Sequence, residues 1–246
     1  MSPSGPRGDH RGVRLYSDVR PDEAGKAYLP GMSSAWKMPW YDVLSWWRRG
    51  GRLHARIVEL AGIASGQRVL DVGCGTGNLL LTVLRAAPDA VVTGLDPDGD
   101  ALLRAARKAR RRVRGGGRDG QVTLVRGYAD RLPADDSSLD HVVSSLALHH
   151  VPMAEKQRFA AELVRVLRPG GRVTIADLDA PHGHGATGNG HAHGHGHEIG
   201  RNQYREDNAD GGIERLLTEA GLLDAREVDR TTFMDTPVTF VQARRP

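Results

Sequence analysis

The chain has 246 residues, a formal net charge of +4, and 39% hydrophobic and 26% charged residues, which excludes an intrinsically disordered protein and fits one α/β domain with a short appendage. The single cysteine, Cys74, excludes a disulfide framework, and with a polar N-terminus that lacks a signal peptide it predicts a cytoplasmic location. No apolar run reaches the roughly 20 residues of a membrane-spanning helix.

The first 64 residues divide into two predicted parts. Residues 1–30 are rich in Gly, Pro, Ser and charge, which predicts a flexible N-terminal segment. Residues 31–64 are predicted to form a helical cap of two helices, separated by Gly50 and Gly51. The cap carries all four tryptophans of the chain: Trp36, Trp40, Trp46 and Trp47. Their helical spacing predicts a stripe that either packs on the core or walls a pocket for an apolar or planar molecule.

From residue 65 to residue 246, short apolar runs alternate with longer amphipathic ones. The predicted strands are 68–72, 91–95, 122–125, 141–145, 172–176, 225–229 and 238–243, and the predicted helices are 77–87, 98–113, 153–167 and 211–221. This alternation is typical of a parallel sheet whose two faces are covered by helices. We therefore predict an α/β fold with seven strands.

The segment after the first of these strands is a glycine-rich loop, Asp71-Val72-Gly73-Cys74-Gly75-Thr76-Gly77, which leads into a helix. Glycines at such a turn let a ligand approach the backbone, and the N–H groups at the helix start attract carboxylate or anionic groups. Asp96 ends the next strand, 23 residues after Gly73, where an acid that accepts both hydroxyls of a ribose is expected. The pattern predicts a cofactor that contains a nucleoside.

Two residues favour S-adenosylmethionine (SAM) over a dinucleotide as that cofactor. A dinucleotide-binding loop has its third glycine where this chain has Asn78. The carboxylate of Asp71 would repel a pyrophosphate, whereas SAM carries an ammonium and a sulfonium.

A basic run follows the second of these strands. Its cationic residues are Arg104, Arg107, Lys108, Arg110, Arg111, Arg112, Arg114 and Arg118. Such a run either tracks phosphates or forms the solvated face of a surface helix. No aromatic residue is interleaved with these arginines, so the run offers no platform for stacked bases, which disfavours nucleic acid as a partner.

His149 and His150 follow the fourth predicted strand, at the edge of the sheet where such folds bind ligands. They are candidate general bases. A group-transfer reaction requires a general base only when its acceptor atom must lose a proton. The alternative is a structural turn with no chemical role.

Residues 181–200 form a low-complexity insert that is predicted to be a loop. Four of its histidines alternate along the chain: His191, His193, His195 and His197. In an extended segment they share one face, which suits Ni, Zn or Cu(II). The alternative is a linker that holds no ion.

The loop Asp71–Gly77 resembles motif I of class I SAM-dependent methyltransferases, and Arg168-Pro169-Gly170-Gly171 matches a later element of the same superfamily in order. Over about residues 65–180 the chain is similar to the small-molecule group that includes the ubiquinone and menaquinone biosynthesis methyltransferases. The resemblance implies a Rossmann-like sheet with strand order 3-2-1-4-5-7-6 and strand 7 antiparallel.

The resemblance also implies a set of cofactor-binding residues. They are Asp71, Gly73, Cys74, Gly75, Gly77, Asp96, Pro97, Ser144 and Ser145. The glycine loop would hold the methionine part of SAM, with Asp71 near its ammonium. Asp96 would accept the ribose hydroxyls, and Pro97 would pack on the adenine.

The chain departs from its relatives at the adenine edge. Relatives usually carry Gly-Asp-Ala there, whereas this chain has Gly127-Tyr128-Ala129-Asp130. Either Asp130 replaces the missing acid through a shifted backbone, or Tyr128 covers the adenine ring and that hydrogen bond is lost.

The predicted activity is transfer of a methyl group from SAM to an O, N or C atom of a small, apolar or aromatic molecule. Such a displacement mainly requires alignment of the reacting atoms and exclusion of water. Three alternatives stay open: an NAD-dependent oxidoreductase, which Asn78 and Asp71 disfavour; a non-catalytic metal- or SAM-responsive binding protein, which the histidine insert and Tyr128 favour; and an RNA methyltransferase.

Overall fold

The described residues form one mixed sheet of eight strands with helices on both faces. The protein's computed structural model describes residues 12–20, 40–114, 122–179, 206–234 and 236–246, with the backbone alone at 40–49, 113–114 and 206. The strands are β1 (Val13–Ser17), β2 (Arg68–Val72), β3 (Val91–Asp96), β4 (Val122–Arg126), β5 (Leu139–Ser145), β6 (Leu167–Leu178), β7 (Leu223–Phe233) and β8 (Thr236–Arg244). The helices are α1 (Trp40–Ala61), α2 (Asn78–Ala86), α3 (Gly99–Arg114), α4 (Met153–Val166) and α5 (Gly212–Glu219), with 3₁₀ turns at Leu148–His150 and Glu206–Asn208.

The strand order is β1-β4-β3-β2-β5-β6-β8-β7. Strand β8 is antiparallel to both β6 and β7, and the remaining neighbouring strands are parallel. Without β1, this is the predicted order 3-2-1-4-5-7-6 with strand 7 antiparallel, so the predicted fold class is confirmed. The predicted count of seven strands is corrected to eight, because β1 extends the sheet beyond β4.

Strand β1 lies inside residues 1–30, which the sequence had predicted to be flexible. It pairs in parallel with β4, from Val13 opposite Val122 to Ser17 opposite Arg126. Val13 is its one fully buried residue, so the segment lacks the apolar alternation that marks a strand in a sequence. Its strand conformation comes from pairing with the open edge of β4. The local sequence of the segment does not encode this pairing.

Helix α1 is continuous where the sequence had predicted two helices. Gly50 and Gly51 lie inside it, and a Cβ at either position would meet no atom within 4 Å. A glycine inside a helix costs about 0.5–1 kcal/mol relative to alanine. Burial of Leu53, Ile57 and Ala61 against the sheet outweighs that cost.

Two apolar clusters hold the helices on the sheet. Helices α1, α2 and α3 share the first cluster, with Ile57, Leu80 and Leu102 at its centre, and α4 and α5 share the second, which contains Phe159 and Leu217. The central strands are buried between the clusters, which explains their unbroken apolar runs. Among the helices of the described residues, none is long and apolar enough to cross a membrane.

Replacing Gly51 with alanine is expected to raise the free energy of unfolding by about 0.5–1 kcal/mol, because alanine loses less conformational freedom in a helix. Gly62→Ala is the matched control, since Gly62 follows α1 with a φ of +63°. An alanine in that left-handed conformation is strained, so this variant is expected to be less stable by about 1–2 kcal/mol. Urea unfolding followed by circular dichroism measures both changes, and a destabilised Gly51→Ala would contradict the prediction.

Candidate functional site

The loop between β2 and α2 turns sharply over the carboxyl end of β3. The N–H groups of Gly73 and Cys74 both donate to the carbonyl oxygen of Leu95, at 2.9 and 3.0 Å. Gly73 has a φ of +74°, and a Cβ there would lie 2.4 Å from the Cβ of Ala147. Only glycine therefore fits at this position, where the loop after β2 meets the turn after β5.

Asp96 connects the end of β3 to the same loop. Its Oδ2 accepts the N–H of Gly75 at 2.7 Å, and its Oδ1 accepts the N–H of Asp98 at 2.9 Å. The side chain is buried, and burial raises its pKa. Each carboxylate oxygen keeps a second lone pair, so Asp96 can also accept two hydroxyl groups of a ribose.

Asp71 lies beneath the loop and is only 1% exposed. Its Oδ2 accepts the N–H of Leu80 at 3.0 Å. Leu80 is the third residue of α2, and Gly77 at the helix start has no side chain to cap it, so the strand supplies the cap instead. Burial raises the pKa of Asp71 to about 8. Asp71 thus has a structural contact that the sequence did not predict, and its contact with a ligand ammonium stays a prediction.

Lys108 joins α3 to the glycine loop. Its Nζ donates to Thr76 Oγ1 and to Asn78 Oδ1, both at 2.8 Å. The ammonium is half-buried, and burial lowers its pKa. The sequence had placed Lys108 in the basic run without a distinct role, but its contacts fix the loop at the start of α2.

Four further arginines of the described run form a solvated helix face, whereas Arg110 is half-buried. Arg104, Arg107, Arg111 and Arg112 are exposed. No ion pair joins these arginines to a carboxylate within the described parts of the chain.

A buried histidine–aspartate pair lies beside the loop. The Nδ1 of His149 is 2.6 Å from the Oδ1 of Asp177, a residue of β6 that is fully buried. The carboxylate also accepts the N–H groups of Leu148 and Leu178, both at 2.7 Å. Burial alone would raise the pKa of Asp177, but the charge of His149 and these hydrogen bonds lower it below the usual value.

This pairing fixes the tautomer of His149. An ionised Asp177 can only accept, so the Nδ1 of His149 carries the hydrogen and Nε2 is the nitrogen that can take a proton. The His150 ring lies 4.0 Å from the His149 ring, centroid to centroid. Burial, and then the charge of His149, lowers the pKa of His150 to about 4, so His150 is neutral at pH 7. Of the two predicted candidates, His149 therefore has the geometry of a general base.

Asp177 is the residue that sequence reasoning missed. It directly follows the predicted strand 172–176, and the structure extends that strand, β6, to Leu178. The available signal was an acid near the carboxyl end of a parallel strand, the same signal that identified Asp96.

A buried lysine borders the pair. Lys156 of α4 is 1% exposed, and its Nζ donates to Asn208 Oδ1 at 2.7 Å and lies 3.5 Å from Asp207 Oδ2. Burial lowers the pKa of Lys156, while the charges of Asp207 and Asp177 raise it. The turn Glu206–Asn208 packs on the turn Leu148–His150, so these side chains form one polar cluster with the histidine–aspartate pair.

The two predicted serines of β5 differ in their contacts. Ser144 is fully buried, and its Oγ donates to the carbonyl oxygen of Val72 at 2.9 Å, which ties β5 to β2. The Oγ of Ser145 is buried and has no hydrogen-bond partner in the described part of the chain. Ser145 is therefore the serine with a hydroxyl available to a ligand.

The predicted adenine edge borders Asp96. The N–H of Gly127 donates to the Asp96 carbonyl at 3.2 Å, which brings the half-buried Tyr128, Ala129 and Asp130 beside it. The Oδ2 of Asp130 lies 3.5 Å from Arg158 of α4. Pro97, also half-buried, accepts a hydrogen bond from Arg126 through its carbonyl at 3.1 Å.

Cys74 of the loop is buried, and burial raises the pKa of its thiol well above the usual value. A neutral, enclosed thiol is a poor nucleophile. Cys74 therefore contributes to packing through its small side chain. Its Sγ lies against Gly94, 2.8 Å from the position that a Cβ on Gly94 would occupy.

Several predicted residues lie outside the described part of the chain: His191, His193, His195, His197, Trp36 and Arg118. The side chains of Trp40, Trp46, Trp47 and Arg114 are also outside it. Within the described ranges, no group of three or more His, Cys, Asp or Glu side chains is arranged to hold a metal ion.

Comparison with known proteins identifies relatives of this chain. Residues 69–171 match the family model of a methyltransferase domain, Methyltransf_25. An uncharacterised methyltransferase of Synechocystis is 37% identical over 130 residues, which cover 53% of this chain and 56% of the relative. The ubiquinone/menaquinone biosynthesis C-methyltransferase of Azotobacter vinelandii is 32% identical over 144 residues, which cover 57% of this chain and 55% of the relative. The chain thus spans about half the length of these curated relatives.

A solved structure shares the fold. Magnesium protoporphyrin IX methyltransferase from Synechocystis, with bound SAM, superposes with a TM-score of 0.59 and 18% identity. The match covers 84% of this chain and 83% of that one. At this identity the likeness concerns the fold alone.

Replacing Asp71 with asparagine is expected to change how stability depends on pH. The folded-state pKa of about 8 lies above the ordinary value of about 3.9 in an unfolded chain. Between these values the folded protein holds a proton that the unfolded chain has lost, so Asp71 makes wild-type stability fall as pH rises from about 4 to about 8. Asp71→Asn lacks this proton and should gain stability relative to wild type over that range.

Urea unfolding of the ligand-free protein at a series of pH values measures this difference. Asp89→Asn is the control for loss of a surface carboxylate, because Asp89 is exposed and accepts a hydrogen bond from Ser65. A difference between Asp71→Asn and wild type that stays constant over this pH range would show that Asp71 is ionised in the folded protein.

Proposed function

Residues 69–171 form a methyltransferase domain of the class I SAM-dependent superfamily, and from this premise we propose that the chain transfers the methyl group of SAM to a small organic molecule. The observation that carries the proposal is the position of the His149–Asp177 pair beside the glycine loop. A nucleoside-binding acid and a proton-accepting histidine thus share one edge of the sheet.

The loop and the strand ends around it would hold the cofactor. The backbone of Gly73–Gly77 would bind the methionine part of SAM, and Asp96 would accept the ribose hydroxyls. The Ser145 hydroxyl, which is buried without a partner among the described residues, satisfies its hydrogen-bonding capacity on the ligand. Lys108 keeps the loop in shape through Thr76 and Asn78. Bound SAM supplies an electrophilic methyl group and leaves as S-adenosylhomocysteine.

His149 and Asp177 act on the methyl acceptor. The Nε2 of His149 takes a proton from the acceptor, and Asp177 stabilises the imidazolium that results. The nucleophilic atom of the acceptor then bonds to the methyl carbon. A base so placed suits an acceptor that must lose a proton, such as a hydroxyl or an acidic carbon. The quinone-biosynthesis relative carries out C-methylation by its name, and we extend its apolar, ring-bearing type of acceptor to this chain.

Asp96→Asn is expected to weaken the binding of SAM and of S-adenosylhomocysteine by roughly 10–100-fold, because charge-assisted hydrogen bonds to the ribose are lost. Titration calorimetry with both ligands and with NAD measures this. The control is Asp89→Asn, an exposed acid away from the loop, which should bind like wild type. Wild-type protein that binds NAD but neither adenosyl ligand would favour the oxidoreductase alternative and contradict the proposal.

Replacing His149 with glutamine is expected to lower turnover by about 10²–10⁴-fold without changing the affinity for S-adenosylhomocysteine. The defect should shrink as pH rises, because the acceptor then ionises without a base. A panel of naphthols and hydroquinones, assayed by release of S-adenosylhomocysteine, measures turnover.

Asp177→Asn should show the same defect, since it removes the charge that orients His149. His141→Gln is the matched control: His141 is a buried histidine at the other end of β5, with its Nε2 3.0 Å from Gln67. Equal losses in His149→Gln and His141→Gln would indicate a structural rather than a chemical role.

A further inference from the structure

The contact between Lys156 and Asn208 fixes which end of the Asn208 amide is available. The ammonium of Lys156 has donors only, so the amide atom at 2.7 Å is the oxygen, Oδ1. The NH₂ group of Asn208 must then point away from Lys156. Unlike most asparagine side chains, this one has an orientation set by its partner's chemistry.

The freed NH₂ group is a donor with nothing to bind. Asn208 is 4% exposed, and its Nδ2 is buried with no hydrogen-bond partner among the described residues. A buried donor without a partner is costly, so such a group calls for a partner such as a bound water or ligand atom.

The position of this donor relates it to the acceptor site. The turn that carries Asn208 packs on the turn that carries His149. Asp177, the partner of His149, is also close enough to Lys156 for its charge to act on the ammonium. The Asn208 amide and the base His149 therefore belong to two turns that pack together.

We propose that Asn208 and Lys156 bind an oxyanion on the methyl acceptor. The NH₂ group donates to an acceptor oxygen that becomes negatively charged when the Nε2 of His149 removes its proton. The ammonium of Lys156, behind the amide, polarises it and strengthens that hydrogen bond. The electron pair left by the proton stays on this oxygen or is delocalised into the ring, until the nucleophilic atom uses it to bond the methyl carbon.

This inference rests on the proposed function and names its substrate class. Phenols, hydroquinones and enols form an oxyanion on losing a proton, and methylation follows at that oxygen or at a conjugated carbon. Amines form no such anion and would leave the Asn208 donor unsatisfied. Asn208 is thus a substrate-binding residue, and Lys156 is a positioning residue that acts through it.

The test uses 4-nitrophenol and 4-nitro-1-naphthol, whose ionised forms are coloured, bound to the protein saturated with S-adenosylhomocysteine. Titration of the bound probe followed by absorbance gives its apparent pKa. We expect this pKa to be about one unit higher in Asn208→Leu than in wild type, a tenfold loss of preference for the phenolate. Asn208→Asp, which is close in shape, should raise it further, because a carboxylate repels the phenolate.

Lys156→Met should raise the probe pKa as Asn208→Leu does, and Lys156→Arg, which keeps the charge, should restore part of the shift. A merely structural role of Lys156 would not move a probe pKa in this ordered way.

Asn78→Leu is the matched control, because among the described residues Asn78 also accepts from a lysine through its Oδ1, at 2.8 Å. It should weaken the binding of S-adenosylhomocysteine and leave the probe pKa unchanged. Equal probe pKa values in wild type, Asn208→Leu and Asn208→Asp, or failure of both probes to bind as phenolates, would overturn the inference while cofactor binding stands. Failure of wild type to bind S-adenosylhomocysteine would instead overturn the proposed function.

Discussion

Gly73 and Ala147 lie so close together that a single methyl group on Gly73 would overlap the Ala147 side chain, at 2.4 Å. This contact joins the loop after β2 to the turn after β5, and the turn carries His149. Methyl transfer depends on alignment of the reacting atoms, and misplacement by about 1 Å can cost on the order of 10²-fold in rate. The absence of a side chain at Gly73 therefore sets how close the glycine loop lies to the proposed base.

The buried carboxylates around this contact differ according to their partners. Asp71 and Asp177 are both enclosed, and both accept backbone N–H groups. Asp71 has no cation against it among the described contacts, so burial raises its pKa to about 8. Asp177 has His149, whose charge and hydrogen bond lower its pKa. One acid is thus suited to cap a helix as a neutral group, and the other to orient a histidine as an anion.

Local sequence patterns predicted the parts of the protein that local interactions build. Alternating apolar runs predicted the seven strands from β2 to β8, and the glycine loop with Asp96 predicted the edge of the sheet at which we expect a ligand to bind. Strand β1 was not predicted, because Val13 is its only residue buried in the core. The break expected at Gly50 and Gly51 is absent because the cost of the two glycines is small beside the burial of the α1 face.

Side-chain contacts between distant segments could not be predicted in this way. The partners Lys156 and Asn208 are 52 residues apart, and His149 and Asp177 are 28 residues apart. Neither periodicity nor motif spacing predicts such pairs, because the local sequence pattern around each residue does not depend on its distant partner. For the same reason Lys108 was predicted as one charge in a basic run, whereas its role depends on Thr76 and Asn78.

Two lysine–asparagine contacts of the described residues fix side-chain amides on opposite faces of the sheet. Lys108 extends from α3 to Asn78 at the start of α2, and Lys156 extends from α4 to Asn208. In each case a lysine on a helix that packs against the sheet holds the asparagine amide in one orientation. The backbone of the asparagine alone would leave that amide free to rotate. Because Lys156 donates directly to Asn208, the position of that amide depends on α4 as well as on the turn Glu206–Asn208 that carries it.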